Sequence, residues 1–314
     1  MKYALGDYDS FRCIAQACPD SCCVGWDVVI DDETAARYAA MDGALGEKLR
    51  AHLTVDDDGD RIFRVPDDGR CPFLCADGLC EIQREKGEQA LSVTCARFPR
   101  IVQEYTDFTE YCLSPACPPA AQILLRADRL HAPTPPTDDP ALRELLVLRE
   151  RWITRMQDRS APFAQRLCAC LRDAVRMCGY TAPDDGLSSP VALFDFLGNL
   201  DLMRGDFREL TASPRQTPCA DARLLENLSV YYLYRYLLHA VSDGDVLLRL
   251  QLMCAAVTFA SFAAGDPLEA ARLFCKEVEH SYENMEAVYD ACLSHPAFAP
   301  ETFLKIWEET YETV

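Results

Sequence analysis

No stretch of this sequence approaches the roughly eighteen uncharged apolar residues of a membrane span. Its first ten residues, MKYALGDYDS, place Asp7 and Asp9 where an export signal needs an unbroken apolar run. The expectation is a soluble, cytoplasmic chain with no membrane partner. Basic charge is also scarce: 31 Lys and Arg against 50 Asp and Glu leave a net −19. Residues 1–130 hold 14 basic and 23 acidic side chains and the remainder 17 and 27, so neither half offers a basic footprint for phosphate. No nucleic-acid partner is expected.

Several signatures are missing as well. There is no P-loop and no G-x-G-x-x-G after a strand, which removes the usual nucleotide-phosphate cradles. A Cys-x3-Cys-x2-Cys triplet fails twice, because Gly25 and Gly78 stand where the third thiol would be. The usual radical pattern is thereby disfavoured, and with no Cys-x2-Cys knuckle a paired-cysteine zinc ribbon fits poorly.

What the chain has is cysteine. Ten of 17 fall between Cys13 and Cys117, as Cys13-x4-Cys18-x3-Cys22-Cys23, Cys71-x3-Cys75-x4-Cys80, Cys95 and Cys112-x4-Cys117. Without an export signal these thiols stay reduced, which points to metal or catalysis rather than to disulfides. Soft thiolates select zinc, copper(I) or iron–sulfur clusters and must converge from several loops. Cys71-Pro72, Gly78-Leu79-Cys80 and Cys117-Pro118 supply tight turns for that purpose. Cys168, Cys170, Cys178, Cys219, Cys254, Cys275 and Cys292 lack ligand spacing and read as small buried apolar side chains.

The proline- and acid-rich run HAPTPPTDDP, residues 131–140, reads as a linker. It divides a small, irregular, cysteine-rich domain, residues 1–130, from an all-helical domain, residues 141–314. Short strands are expected at 61–65 and 101–105, with helices at 34–41 and 118–127. Beyond the linker, helical period predicts 141–158, 162–178, 190–203, 222–241, 245–264, 267–293 and 300–312. The fold class is therefore mainly α, with a few short strands near the N-terminus.

Particular motifs carry a resemblance. Phe11-x-Cys13-x4-Cys18-x-Asp20-Ser21-Cys22-Cys23-x-Gly25-Trp26 with Asp31 is followed by Cys71-Pro72-Phe73-Leu74 and Gly78-Leu79-Cys80-x-Ile82. Leu91-Ser92-x-Thr94-Cys95-x-x-Phe98-Pro99-Arg100, Glu226-Asn227-Leu228, Tyr231-Tyr232-x-Tyr234-Arg235-Tyr236 and Glu277-x-Glu279-His280-Ser281-x-x-Asn284 continue the pattern. Together they resemble the flagellin lysine-N-methylase family, within the wider group of cysteine-rich zinc- or iron-chelating domains. The resemblance implies methyl transfer from S-adenosylmethionine to lysine side chains of a protein partner, flagellin. It also implies an iron–sulfur cluster, 4Fe–4S or alternatively zinc, held from Cys13, Cys18, Cys22, Cys23, Cys71, Cys80, Cys95 and Cys117. Cys75 and Cys112 stand outside that pool, and eight thiols exceed the four that one cluster uses.

Lysine methylation makes physical demands. A lysine amine titrates near ~10.4 and attacks only when deprotonated, while the sulfonium donor is a cation that carboxylates and aromatic faces hold well. Leu224, Leu228, Tyr231, Arg235 and Leu238 share a helical stripe, so Arg235 is expected to be buried and paired. Glu277, His280, Ser281 and Asn284 fall on one face of the helix expected over 267–293. The plain reading is an Arg–Glu structural clamp. The sharper one makes this region the wall of a methyl-donor or lysine pocket, with Tyr231, Arg235, Glu279 and His280 catalytic and Tyr232 and Asn284 on the cofactor. Trp26, Arg97 and Arg100, beside the cysteine motifs, are instead expected to pack against or shield the cluster. A metal-handling protein and an iron–sulfur redox module are the competing classes.

Overall fold

The computed structural model describes residues 2–56, 59–66, 69–181, 186–203 and 205–312, with side chains to residue 309. Two compact units emerge: a smaller one over Arg12–Ile101, and a larger one that joins the residues up to Phe11 with those from Val102 onward.

In the smaller unit, brief β-branched runs between Gly, Pro and Asp give brief strands. Val28–Val29 and Leu53–Val55 each pair antiparallel with Arg61–Phe63, placing Val28 and Leu53 opposite Phe63. Asp31 starts the helix Asp32–Ala39: its Oδ1 accepts from Thr34 N at 2.9 Å, and its Oδ2 accepts from Val93 N at 2.9 Å. One carboxylate thus caps a helix and ties it to the segment bearing Cys95. A second helix, Gly43–His52, was not expected from the periodicity. The core gathers Val28, Ile30, Tyr38, Leu49, Phe63 and Phe73, with Trp26, Cys71 and Cys80 packed on its edge.

The larger unit is helical. A parallel pair, Tyr3–Ala4 with Thr109–Leu113, is joined by Arg100–Glu104 in one three-stranded sheet. Every residue of the helix Val246–Phe262 is buried, as an all-round apolar sequence demands. Ala222–Tyr236, Pro267–Glu279, Phe163–Met177 and Tyr282–Ser294 pack around it. No helix among the described residues is long and apolar enough to cross a membrane. The architecture is mainly α with short strands in the N-terminal region, as the patterning predicts.

Three expectations change in detail. Residues 131–140 do not separate two domains: they lie within the larger unit. Thr137 Oγ1 and Asp138 N both donate to Asp107 Oδ2 at 2.7 Å, and Asp139 caps the helix Pro140–Met156. The helix expected over 190–203 ends at Gly198, and Gly205–Thr211 forms another. The helix expected over 267–293 breaks at His280, because the Ser281 hydroxyl accepts from Asn284 N at 3.2 Å and starts a new helix at Tyr282.

The sheet and helices of the larger unit are joined by a buried ion pair. Arg149, on Pro140–Met156, donates to Glu110 Oε2 at 2.8 Å and Oε1 at 2.5 Å. Both residues are about 1% exposed, and the guanidinium lies 4.6 Å from the Tyr234 ring centroid.

Candidate functional site

Backbone pairing in the smaller unit assembles the thiols. Cys71 N donates to Cys23 O at 2.8 Å, and Cys75 N donates to Leu79 O at 2.9 Å, which folds Cys71–Cys80 into a turn. Gly78, with φ +80°, makes the tight reversal. Cys95 sits one turn into the helix Val93–Arg97, whose Ser92 cap accepts from Cys95 N at 3.2 Å.

The electrostatics show that these sulfurs are neighbours. Cys22 hydrogen-bonds Cys23 and also feels Cys95 and Cys13; the shared proton stays on Cys22, whose thiol is pushed up, while Cys23 is lowered, first by that hydrogen bond and further by Ser21 and Arg70. Burial, then the charges of Cys23, Cys95 and Cys80, push the Cys71 thiol up to about 12. Burial likewise raises Cys95 to about 11, aided by Cys23 and Cys80. Cys80 is raised by burial and by the charges of Cys23 and Cys75.

Cys13, Cys22, Cys23, Cys71, Cys80 and Cys95 are thus brought together. Cys75 joins them, with Arg84 donating to its Sγ at 3.2 Å, although the family resemblance leaves it outside the expected pool. Cys18 donates to Asp20 O at 3.1 Å, and Cys117 belongs to the larger unit, at the start of Pro118–Leu125. Among the described residues no three His, Cys, Asp or Glu side chains already stand in metal-binding geometry. The donor set suits a soft metal in kind: it is all sulfur, from three segments, and burial first, then neighbouring thiolate charge, raises Cys71, Cys80 and Cys95, an opposition that a cation would relieve.

A second constellation lies in the larger unit. Tyr231, Tyr232 and Tyr236, on Ala222–Tyr236, all donate to the Glu279 carboxylate, at 2.6, 2.6 and 2.8 Å. The three phenols are buried, while Glu279, in the last turn of Pro267–Glu279, is half-exposed. Burial, and after it the Glu279 charge among other neighbours, push all three phenols well up, so they remain donors. Arg235 places its guanidinium 4.9 Å from the Tyr236 ring centroid. Burial opposes its charge, but Tyr236, Cys112, Tyr231 and Glu279 outweigh it. Among the described residues Arg235 makes no direct ion pair with a carboxylate, so the expected Arg–Glu clamp is not formed as such; Arg235 and Glu279 meet only by way of Tyr236. Cys112 and Cys275 are fully buried beside this group.

The remaining candidates fall elsewhere. His280, next to Glu279, sets its Nε2 2.8 Å from Ser114 Oγ. Asn284 accepts from Asp201 N at 3.1 Å and donates to Asp201 O at 2.7 Å and Glu277 O at 2.8 Å, so its amide is committed to holding backbone. Glu277 accepts from Met203 N at 2.8 Å. Trp26 Nε1 donates to Cys22 O at 2.9 Å and its ring meets Phe98 edge-on at 5.6 Å, which fixes the cysteine loop. Arg97 is exposed, and Arg100 opens a strand. Tyr236 is the member of this group to which the sequence assigns no role; Tyr232 and Tyr236 are spaced i, i+4 and share a face.

His239 lies one turn beyond Arg235, with its Nε2 2.9 Å from Gln103 Nε2 and 3.4 Å from Arg235 Nη1. Burial, then Arg235 and Arg249, lower its pKa to about 4. The unfolded imidazole takes a proton near pH ~6.5 and the folded one does not, so stability is full above that value and falls as the pH drops toward 4. The expected loss is at most about 3 kcal/mol. Urea denaturation at pH 7.5 and pH 5 measures it, and His239→Gln should flatten the difference.

Fold and site together define a mainly helical protein that carries a thiol-rich unit of short strands. No protein-family model and no solved structure matches the chain. Over 120 residues, 37% of this chain, it is 34% identical to a lysine-N-methylase of Salmonella choleraesuis (strain SC-B67). It is 33% identical over 120 residues to the lysine-N-methylase of Salmonella typhimurium, and each of these matches spans 30% of the relative's length. It is also 33% identical over 120 residues to the flagellar biosynthetic protein FliU of Salmonella muenchen, covering 71% of that protein. The chain belongs to the flagellin lysine-N-methylase family.

Proposed function

We infer that the protein is a lysine N-methyltransferase that moves a methyl group from S-adenosylmethionine to lysine side chains of flagellin. The relatives named lysine-N-methylase and FliU support that class. The structural observation that carries it is Glu279, a carboxylate reaching the surface from a wall of three phenols. Both reacting partners begin as cations, a lysine ammonium and a sulfonium, and a carboxylate flanked by aromatic rings is a site for a cation.

The roles follow from the hydrogen bonds. Glu279 is already an acceptor for three hydroxyls, so it serves as a fixed negative charge that orients the substrate cation. Tyr231, Tyr232 and Tyr236 hold it rigidly and present ring faces. Arg235 keeps the third phenol in place. His280, adjacent to the carboxylate, takes the ammonium proton so that the amine can attack the methyl carbon. In this reading an iron–sulfur cluster is held by cysteines of the smaller unit, drawn from Cys13, Cys22, Cys23, Cys71, Cys75, Cys80 and Cys95. It would supply a metal–thiolate cross-link between the three segments.

Incubation of the protein with S-adenosylmethionine and flagellin should add multiples of a methylene to lysine-containing peptides, read by mass spectrometry. Flagellin left unmodified would overturn the assignment. Anaerobic purification tests the metal separately: a brown protein with iron and sulfide supports the cluster, and a colourless one with stoichiometric zinc replaces it.

A further inference from the structure

Two cavities of the larger unit adjoin. One, of about 500 Å³, is lined by Arg159, Arg166, Arg223, Glu226 and Ser160. The other, of about 1220 Å³, has a largely apolar wall that includes Leu225, Phe262, Ile306 and Trp307. Pro162, Phe163 and Ala222 line both, so one cleft runs from a basic end to an apolar, aromatic one.

The basic end departs from the rest of the molecule. In a chain of net charge −19 its lining holds three arginines and one carboxylate, Glu226. Glu226, 1% exposed, pairs with Arg159 at 2.9 Å and with Arg166 at 2.8 Å. Arg223, exposed, pairs with the exposed Asp128 at 3.4 Å, and Asp128 also lies 3.6 Å from Arg159. Arg166 is 5% exposed, and its Nε has no hydrogen-bond partner among the described residues. The helix Phe163–Met177 also opens here, on Pro162, which offers no side-chain cap. Its first-turn N–H groups add positive potential at the same end. A structural ion-pair network accounts for Glu226 with two arginines. Asp128 extends the network to Arg223, but three arginines then face two carboxylates, one of them exposed, and neither the Arg166 Nε nor the open space between the arginines is accounted for.

We propose that this cleft binds a small molecule carrying an acid group on an aromatic, nucleoside-like body, with the acid at Arg159, Arg166 and Arg223 and the body against the apolar wall. Each charge-assisted contact of this kind strengthens binding by roughly tenfold or more. Ligand sites of this mixed character, mostly apolar with a few convergent polar groups, are the common form. Resting on the methyl-transfer reading, the inference deepens it: S-adenosylmethionine and its product S-adenosylhomocysteine have this chemistry, with a carboxylate as the acid. A nucleoside monophosphate shares it through phosphate.

Titration calorimetry on the full chain with S-adenosylhomocysteine and, separately, AMP tests the cleft. Ala222 and Arg223 are exposed at the start of Ala222–Tyr236, so substitution there spares the core. The expected result is binding of S-adenosylhomocysteine that Ala222→Trp abolishes, by filling the junction, and Arg223→Ala weakens about tenfold. Equal binding by wild type and both variants would overturn the cleft and leave the methyltransferase assignment standing. Binding of AMP alone, lost in Ala222→Trp, would keep the cleft and overturn its assignment to the methyl donor. Binding of neither ligand would overturn the proposal itself.

Discussion

Glu279→Gln is expected to lower methyl transfer to flagellin by about 10²-fold or more while the protein still folds. Glutamine keeps the shape and one acceptor oxygen for the surrounding phenols but removes the charge. A cation held beside buried rings gains far more from that charge than it would in water, so its loss falls on the reacting complex. Glu279→Ala should behave differently. It leaves the hydroxyls of Tyr231, Tyr232 and Tyr236 without their acceptor, and each unsatisfied buried hydroxyl costs about 1–3 kcal/mol. Comparing the two variants by peptide mass spectrometry and thermal melting separates chemistry from stability. A glutamine variant with wild-type turnover would remove Glu279 from the catalytic site.

The largest stability effect is expected at the buried pair in the larger unit. Arg149→Met should cost about 3–5 kcal/mol, because Glu110, whose pKa burial already raises, loses its buried partner and must either hold an uncompensated charge or take up a proton. In a unit of this size that corresponds to a drop in Tm of roughly 10 °C. The double variant Arg149→Met/Glu110→Leu should recover most of the loss, since an apolar pair of similar volume needs no compensation. Thermal melts of the single and double variants check both statements. A double variant as unstable as the single would mean that the ion pair itself, rather than an orphaned charge, carries the energy.

The sequence made the thiol cluster legible because ligand residues must be cysteine and must lie near turns, two features that spacing records. Cys75 is part of that spacing and falls outside the pool only because the family pattern does not ask for a cysteine there; the turn at Gly78 brings it back beside Cys80. Helices of the larger unit were legible from their period, and Val246–Phe262 most of all, since only Arg249, Gln251, Thr258 and Ser261 interrupt its apolar run. The break at Ser281 was not, because a single hydroxyl cap redirects a pattern that otherwise continues. That break matters to the site: Glu277, His280 and Asn284 no longer share a helical face, and the carboxylate that meets the tyrosines is Glu279. The strap at 131–140 misled for a different reason. Proline and acid content signals the absence of a helix, and that is as true of an ordered segment hydrogen-bonded to Asp107 as of a free linker.

The order in which the chain is made gives the two-unit division a further meaning. Tyr3–Ala4 pairs with Glu110–Tyr111, so the first strand leaves the ribosome well before its partner exists. Everything from Arg12 to Ile101, including the hydrogen bonds that align Cys23, Cys71 and Cys80, is synthesised in that interval. The smaller unit has its own core and can mature first. During synthesis, then, the thiol-rich unit has the opportunity to order its sulfurs before the helical unit around Val246–Phe262 closes on its waiting strand.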